Sequence, residues 1–138
     1  MPKYGSESKA KLATCHPDLQ KIYNEAIKYC DITILEGTRS KERQAELVRT
    51  GMSKTMNSKH IPAADGYSYA VDAALYPIDW SDRDRFVWLG GFIQGLAQIM
   101  YTEGRISHLI RWGGDWDSDQ NIKEHSFFDG PHCELYKP

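Results

Sequence analysis

The sequence predicts an α+β domain, a small, largely antiparallel sheet flanked by helices, and three observations carry that expectation. A chain of 138 residues is about one domain long, so residues 1–138 are read as a single unit with one core. The composition, 41% hydrophobic, 26% charged and 12% aromatic, is that of a globular protein rather than a disordered one. Segments with helical periodicity alternate with short apolar runs, and no repeat, low-complexity tract or linker interrupts them.

In chain order, Pro17 suits a first helical turn, and "PDLQKIYNEAIKYC" places Leu19, Ile22, Tyr23, Ala26 and Ile27 at helical spacing. "ITILEG" (32–37) is a β-branched run that reads as a buried strand. "SKERQAELVRTG" predicts a helix starting near Ser40 and stopping at Gly51. A polar loop follows, and "AVDAALY" (70–76) is the next strand. The longest helix is expected over 81–103. Ser81 with Asp84 supplies a start signal, and Phe86, Leu89, Ile93, Leu96, Ala97 and Met100 form the apolar stripe. Gly90, Gly91 and Gly95 weaken that helix by propensity, which predicts close approach of another element as compensation. "SHLIRW" and "PHCELY" read as the last two strands.

Composition also excludes function classes. The formal net charge is −2, from 17 basic and 19 acidic residues mixed along the chain, with no basic stripe for a phosphate backbone. Nucleic acid is therefore not an expected partner. No apolar run approaches the roughly 20 residues that span a bilayer, so membrane insertion is not expected. The polar N-terminal stretch lacks the pattern of a signal peptide, which predicts synthesis in the cytoplasm. Cys15, Cys30 and Cys133 form no CxxC pair and are expected to be reduced thiols.

The residues that carry chemistry lie mainly in two stretches. In "SKHIPAADGYSYAVDAA" (58–74), His60 and Asp72 stand at the two ends of a Gly/Tyr-bearing insert. In "FFDGPHCELY" (127–136), Asp129 precedes His132 across a Gly-Pro turn. Strand alternation puts His132 and Glu134 on one face and Cys133 on the other, in the core. Together His60, Asp72 and His132 make two imidazoles and a carboxylate, the three-ligand set that catalytic zinc takes while leaving a fourth position to water. Asp129 is then a natural base for that water, and Arg39 a cation for the developing oxyanion. The plainer readings are surface residues flanking a loop for His60 and Asp72, a turn carboxylate for Asp129 and a surface ion pair for Arg39.

The ordered set is more specific than any of its parts. "GTRSKERQ" with Arg39 and Gln44, "SKH" with Ser58 and His60, "AVD" with Asp72, "RWGGDW" (111–116) and "DGPH" with Asp129 and His132 follow one another along nearly the whole chain. This pattern resembles the zinc D-alanyl-D-alanine-type peptidases, and most closely their phage endolysin branch, the L-alanyl-D-glutamate endopeptidases. The resemblance implies the hedgehog/DD-peptidase fold, Zn2+ on His60, Asp72 and His132, a base at Asp129, and Arg39 stabilising the tetrahedral intermediate. It implies a peptidoglycan stem peptide as substrate, a monomer, and action on the cell wall after release by a separate holin. One departure is the longer spacing from His60 to Asp72, with Ser68 where the family has glycine.

Two other readings stay open: a D-alanyl-D-alanine carboxypeptidase or dipeptidase using the same site, and a catalytically inactive, zinc-stabilised cell-wall-binding domain. The lengthened insert is expected to fold out and back as a hairpin about Asp65-Gly66-Tyr67, with His60 opposite Asp72 and with Tyr67 and Tyr69 near the cleft mouth. His108 reads as structural, and His125 is close enough in sequence to Asp129 to line the cleft. Trp112 reads as core and Trp116 as cleft wall. The acidic loop 115–121 resembles a calcium loop for three positions, but lacks its glycine and has Ser126 at the twelfth place.

Overall fold

A four-stranded, wholly antiparallel sheet organises the protein, in the order β1-β2-β4-β3, with β1 at Ile32–Glu36, β2 at Ala70–Leu75, β3 at Leu109–Trp112 and β4 at His132–Tyr136. The computed structural model describes residues 2–121 and 128–138, so the expectations for His125 and Ser126 lie outside the described residues. Four helices complete the fold: α1 (Ser6–Leu12), α2 (Pro17–Ala26), α3 (Lys41–Arg49) and α4 (Arg83–Thr102). Among the described residues no helix is long and apolar enough to cross a membrane.

Period-two alternation divides the sheet into two faces. Val71, Cys133, Trp112, Leu135 and Ile110 are buried within one cluster, joined by Leu19, Ile22, Tyr23, Ile93, Ala97 and Met100 from α2 and α4. Each such aliphatic side chain contributes about 1.5–3 kcal/mol by leaving water. The expected apolar stripes on α2 and α4 are the ones that pack here. His16 caps α2, its Nδ1 accepting the Asp18 amide at 3.0 Å. Ser40 caps α3, its hydroxyl accepting the Arg43 amide at 3.0 Å.

Three local expectations differ from the structure. α4 begins after Asp82, while the Ser81 hydroxyl donates to Asp79 at 2.6 Å instead of capping the helix. Of its three glycines only Gly90 meets another element: a Cβ there would overlap the Trp112 indole, whereas Gly91 and Gly95 face open space. The seven-residue α1 was not expected, because its polar sequence offers only Ser8 and Leu12 to the interior.

The insert also departs from the predicted hairpin. Asp72 already has ladder partners on both sides, Glu36 on β1 and His132 on β4, so no edge remains for His60. Pro62 has no amide hydrogen to donate, and the Ser68 backbone is committed to the α1–α2 junction. There the Ser68 amide donates to the Thr14 carbonyl at 3.0 Å and its carbonyl accepts from the His16 amide at 2.8 Å. The chain still turns back at Gly66 (φ 84°), but irregularly, with the Ala63 amide on the Tyr67 carbonyl. Tyr69 and Tyr67 pack on His16, with centroids 4.8 and 6.3 Å away, rather than at the cleft mouth.

Candidate metal centre and active-site cleft

The sheet face opposite the core carries a row of polar residues. Glu36, Asp72 and His132 lie side by side across β1, β2 and β4, and Arg111 opposes Glu134 one step along. A register shift between Ile34 and Glu36 lets β1 end beside Asp72. His60 comes from the insert and is clamped to the segment after β1. Its Nδ1 lies 2.7 Å from the Gly37 carbonyl, and its own carbonyl accepts the Arg39 amide at 2.8 Å. Gly37 is needed there, since a Cβ would collide with Thr14 and the Lys11 carbonyl.

His60, Asp72 and His132 thus converge, each offering one ligand atom, all within 4.8 Å of one another. Asp72 Oδ1 is 3.1 Å from His60 Nε2 and 3.1 Å from His132 Nδ1. The outer ring nitrogens settle the tautomers. The Gly37 carbonyl can only accept, so His60 Nδ1 carries a proton. Glu134 Oε1, 2.9 Å from His132 Nε2, likewise accepts from that nitrogen. With both rings neutral, two nitrogen lone pairs and a carboxylate oxygen point at one another. Only a shared cation makes that arrangement favourable, so the donor set fits a divalent metal of borderline softness.

Electrostatics lead to the same conclusion. Burial alone would raise the Asp72 pKa, but contacts with His132 and His60 outweigh it and hold the carboxyl well below its ordinary range. Burial would lower His132, yet its bonds to Asp72 and Glu134 lift it to about 9. Without metal the site holds itself together with a proton.

Asp129 and Arg39 line the same cleft, a cavity of about 340 Å³ bounded also by Lys54, Lys59, Arg111 and Trp116. The Asp129 backbone is fixed, its amide donating to the Gly113 carbonyl at 2.9 Å and its carbonyl accepting the His132 amide at 3.2 Å. A side chain at position 113 would overlap the Asp129 carbonyl, which explains the first glycine of "GGDW". Among the described residues no hydrogen bond engages the Asp129 carboxylate. Burial, then the nearby Asp72 charge, pushes its pKa upward. Trp112 is core, its indole N–H donating to the Gly130 carbonyl at 2.7 Å, and Trp116 stands beside His132, centroids 5.4 Å apart.

A family model described as phage L-alanyl-D-glutamate peptidase matches residues 1–136. The chain belongs to that family. It is 30% identical over 145 residues to the L-alanyl-D-glutamate peptidase of Escherichia phage T5, covering 96% of this chain and 97% of that protein. It also superposes on the Serratia marcescens L-Ala D-Glu endopeptidase ChiX with a TM-score of 0.73 at 27% identity, covering 97% of this chain and 90% of that one.

In this family member further residues support the five expected to carry the chemistry. Glu134 holds His132 and is itself held by Arg111 at 2.7 Å and Lys59 at 3.5 Å. Burial would raise its pKa, but His132 and Arg111 lower it to about 2. Glu36 grips Arg39 through two bonds, Nε–Oε1 at 2.6 Å and Nη2–Oε2 at 2.8 Å, and Gln44 accepts from Nη1 at 2.7 Å. Gln44 is fully buried and donates onward to the Thr55 carbonyl at 2.6 Å, tying the cleft rim to Arg39. The i, i+2 spacing of His132 and Glu134 on one strand was the available signal for Glu134. Gln44 stood in the "GTRSKERQ" stretch without an assigned partner and Glu36 gave no signal, because the partner of both, Arg39, is fixed only by the turn after β1.

Two other groups could hold an ion. In His16, Asp18 and His108, Asp18 Oδ2 already accepts from His108 Nδ1 at 2.7 Å and from the Ser107 amide at 3.0 Å, so His108 is structural. Asp115, Asp117 and Asp119 also cluster, and Asp115 accepts the amides of Asp119 and Gln120 at 3.2 and 2.9 Å.

The clamp on His132 gives a measurable expectation. Glu134→Gln keeps a hydrogen-bonding side chain but removes the charge that sets the tautomer and basicity of His132. Metal affinity should fall about 10–100-fold in competition titrations with a chromophoric chelator. Unchanged affinity would show that Glu134 serves only Arg111 and Lys59.

Proposed function

We propose that this family member is a zinc-dependent endopeptidase that hydrolyses the L-alanyl-D-glutamate bond of peptidoglycan stem peptides and acts as a phage endolysin, synthesised in the cytoplasm and released to the wall by a separate holin. The observation that carries the chemistry is the meeting of three donor atoms, on His60, Asp72 and His132, beside a carboxylate that no hydrogen bond among the described residues engages. Two histidines and one carboxylate are a catalytic-zinc ligand set with a position left for water. Bound there, the ion would supply Lewis acidity, lowering the pKa of water toward about 7 and polarising the scissile carbonyl.

The chain's own residues divide the remaining work. Asp129 removes the proton of the attacking water, and burial, by lifting its pKa, makes it a stronger acceptor than an exposed aspartate. The same carboxyl then returns the proton to the departing D-glutamate nitrogen, so the C–N bond breaks to give a neutral amine. Arg39, held by Glu36 and Gln44, keeps the N–H groups not used in those bonds for the carbonyl oxygen as it gains charge. Its charge is secure: burial opposes it, but the Glu36 contact more than offsets that and raises its pKa.

Mass spectrometry of muropeptides after digestion tests the assignment. New amino-terminal D-glutamate is the expected product. Loss of terminal D-alanine would instead identify a carboxypeptidase, and no new amino termini from the metal-loaded protein would end the hydrolytic reading.

A further inference from the structure

Asp129 borders two cavities, and their chemistry differs. The cleft described above is also lined by Lys54, Lys59 and Arg111. On the other side of Asp129 opens a groove of about 360 Å³ lined by Trp80, Arg83, Phe86, Phe128, Gly130 and Pro131. Trp80 is 65% exposed, yet it is held in place: one face stacks on the buried Phe86, centroids 5.6 Å apart and planes at 21°, and no ring among the described residues stacks on the other. Arg83 lies with its guanidinium carbon 3.7 Å from the Phe128 ring centroid, and no hydrogen bond or ion pair among the described residues engages its N–H groups. Gly130 keeps the floor open, since a Cβ there would come within 2.8 Å of Phe86 and 2.9 Å of Phe128.

From this geometry we infer that the Trp80–Arg83 groove is a saccharide subsite, which seats the N-acetylated amino sugar bearing the stem peptide. The inference rests on the peptidase reading, because that reading places the scissile bond at Asp129. The two sides of that bond differ as the two cavities do. The amine side begins with D-glutamate and is rich in carboxylates, which suit the lysine- and arginine-lined arm. The acyl side is a single alanine joined through a lactyl group to the sugar. One residue spans at most about 3.6 Å, so the sugar ring lies next to the catalytic centre and must rest on a neighbouring surface. A rigid aromatic face with one side open receives the C–H face of a pyranose. The adjacent guanidinium donates to the lactyl and acetamido carbonyl oxygens.

The test compares two substrates of the zinc-loaded protein: a disaccharide-tripeptide from muramidase-digested wall, and the sugar-free N-acetyl-L-alanyl-D-glutamyl tripeptide. For Trp80→Ala the ratio of kcat/KM on the first to that on the second should fall about tenfold, the size of one good aromatic stack, mostly through KM. Trp80→Phe should restore most of the ratio. An equal loss on both substrates would make Trp80 only a prop for Phe86, and unchanged kcat/KM on both would remove the groove from substrate binding; either overturns the inference. Calorimetric binding of the disaccharide-L-alanine product reads the groove independently of catalysis. Wild type should bind it about tenfold more tightly than Trp80→Ala, and equal affinities would overturn the subsite. If wild type hydrolyses neither substrate, the peptidase reading fails and this binding comparison alone decides the groove.

Discussion

Asp129→Ala should retain close to one metal per chain while losing about three orders of magnitude in hydrolysis of purified peptidoglycan, the middle of the range for a general base. The metal is expected to stay because Asp129 is not among the three convergent donors, and because its backbone, held by Gly113 and His132, keeps the turn before β4 in place. Nor should the fold suffer. The Asp129 carboxyl is pushed upward by burial and by Asp72, so truncating it relieves a repulsion, and the metal-free variant should melt no lower than metal-free wild type. Asp129→Asn separates shape from basicity: it fills the same volume, cannot take a proton, and should be as inactive as the alanine variant. Metal analysis, a wall-turbidity assay and thermal melts of the metal-free forms check these expectations. A variant that clears walls at the normal rate would show that another group is the base.

Much of this site was legible in the sequence because its parts are residue types placed at strand ends and turns, where simple rules apply. His132 and Glu134 share a face and Cys133 takes the other, as period two requires, and the cluster of Cys133 with Val71 and Trp112 places the core behind the site. The convergence of His60 on Asp72 was expected, but the path was not. Hairpin reasoning considers one partner per strand, whereas Asp72 sits on a central strand with both edges taken. A ligand from the insert could reach it only with its side chain. The roles of Glu36, Gln44 and the Gly37 carbonyl stayed hidden for a related reason. They act by hydrogen bonding to Arg39 and His60, and those distances depend on a tight turn after β1 that no periodicity encodes. The groove under Trp80 was hidden because its walls come from Trp80 with the start of α4 and from the turn at Gly130, segments that are distant in sequence.

Removing the metal should make stability strongly pH-dependent on the alkaline side. Were both rings neutral, His60 and His132 would aim lone pairs at Asp72 Oδ1, so the metal-free site is cohesive only while a proton bridges it. That proton belongs to His132, whose pKa the contacts with Asp72 and Glu134, outweighing burial, raise from 6.5 to about 9. A raised folded-state value means that the stabilisation is fully present below about pH 6.5 and is lost as pH climbs through about 9. Asp72 and Glu134 act in the opposite direction. Their depressed values stabilise the fold above the ordinary carboxylate range and fail only as the medium turns acid. Chelator-treated protein should therefore melt highest between about pH 5 and 6.5 and then lose on the order of 1–3 kcal/mol by pH 9.5. A change of that size lowers the melting temperature by about 3–10 °C. Metal-loaded protein has the cation in place of the proton, so its melting temperature should hold through the same interval. Calorimetric scans of the two forms at half-unit pH steps provide the comparison, and His132→Asn is the control that should abolish the alkaline loss in the metal-free form. Parallel profiles for the metal-free and loaded proteins would mean that the three donor atoms do not share a cation.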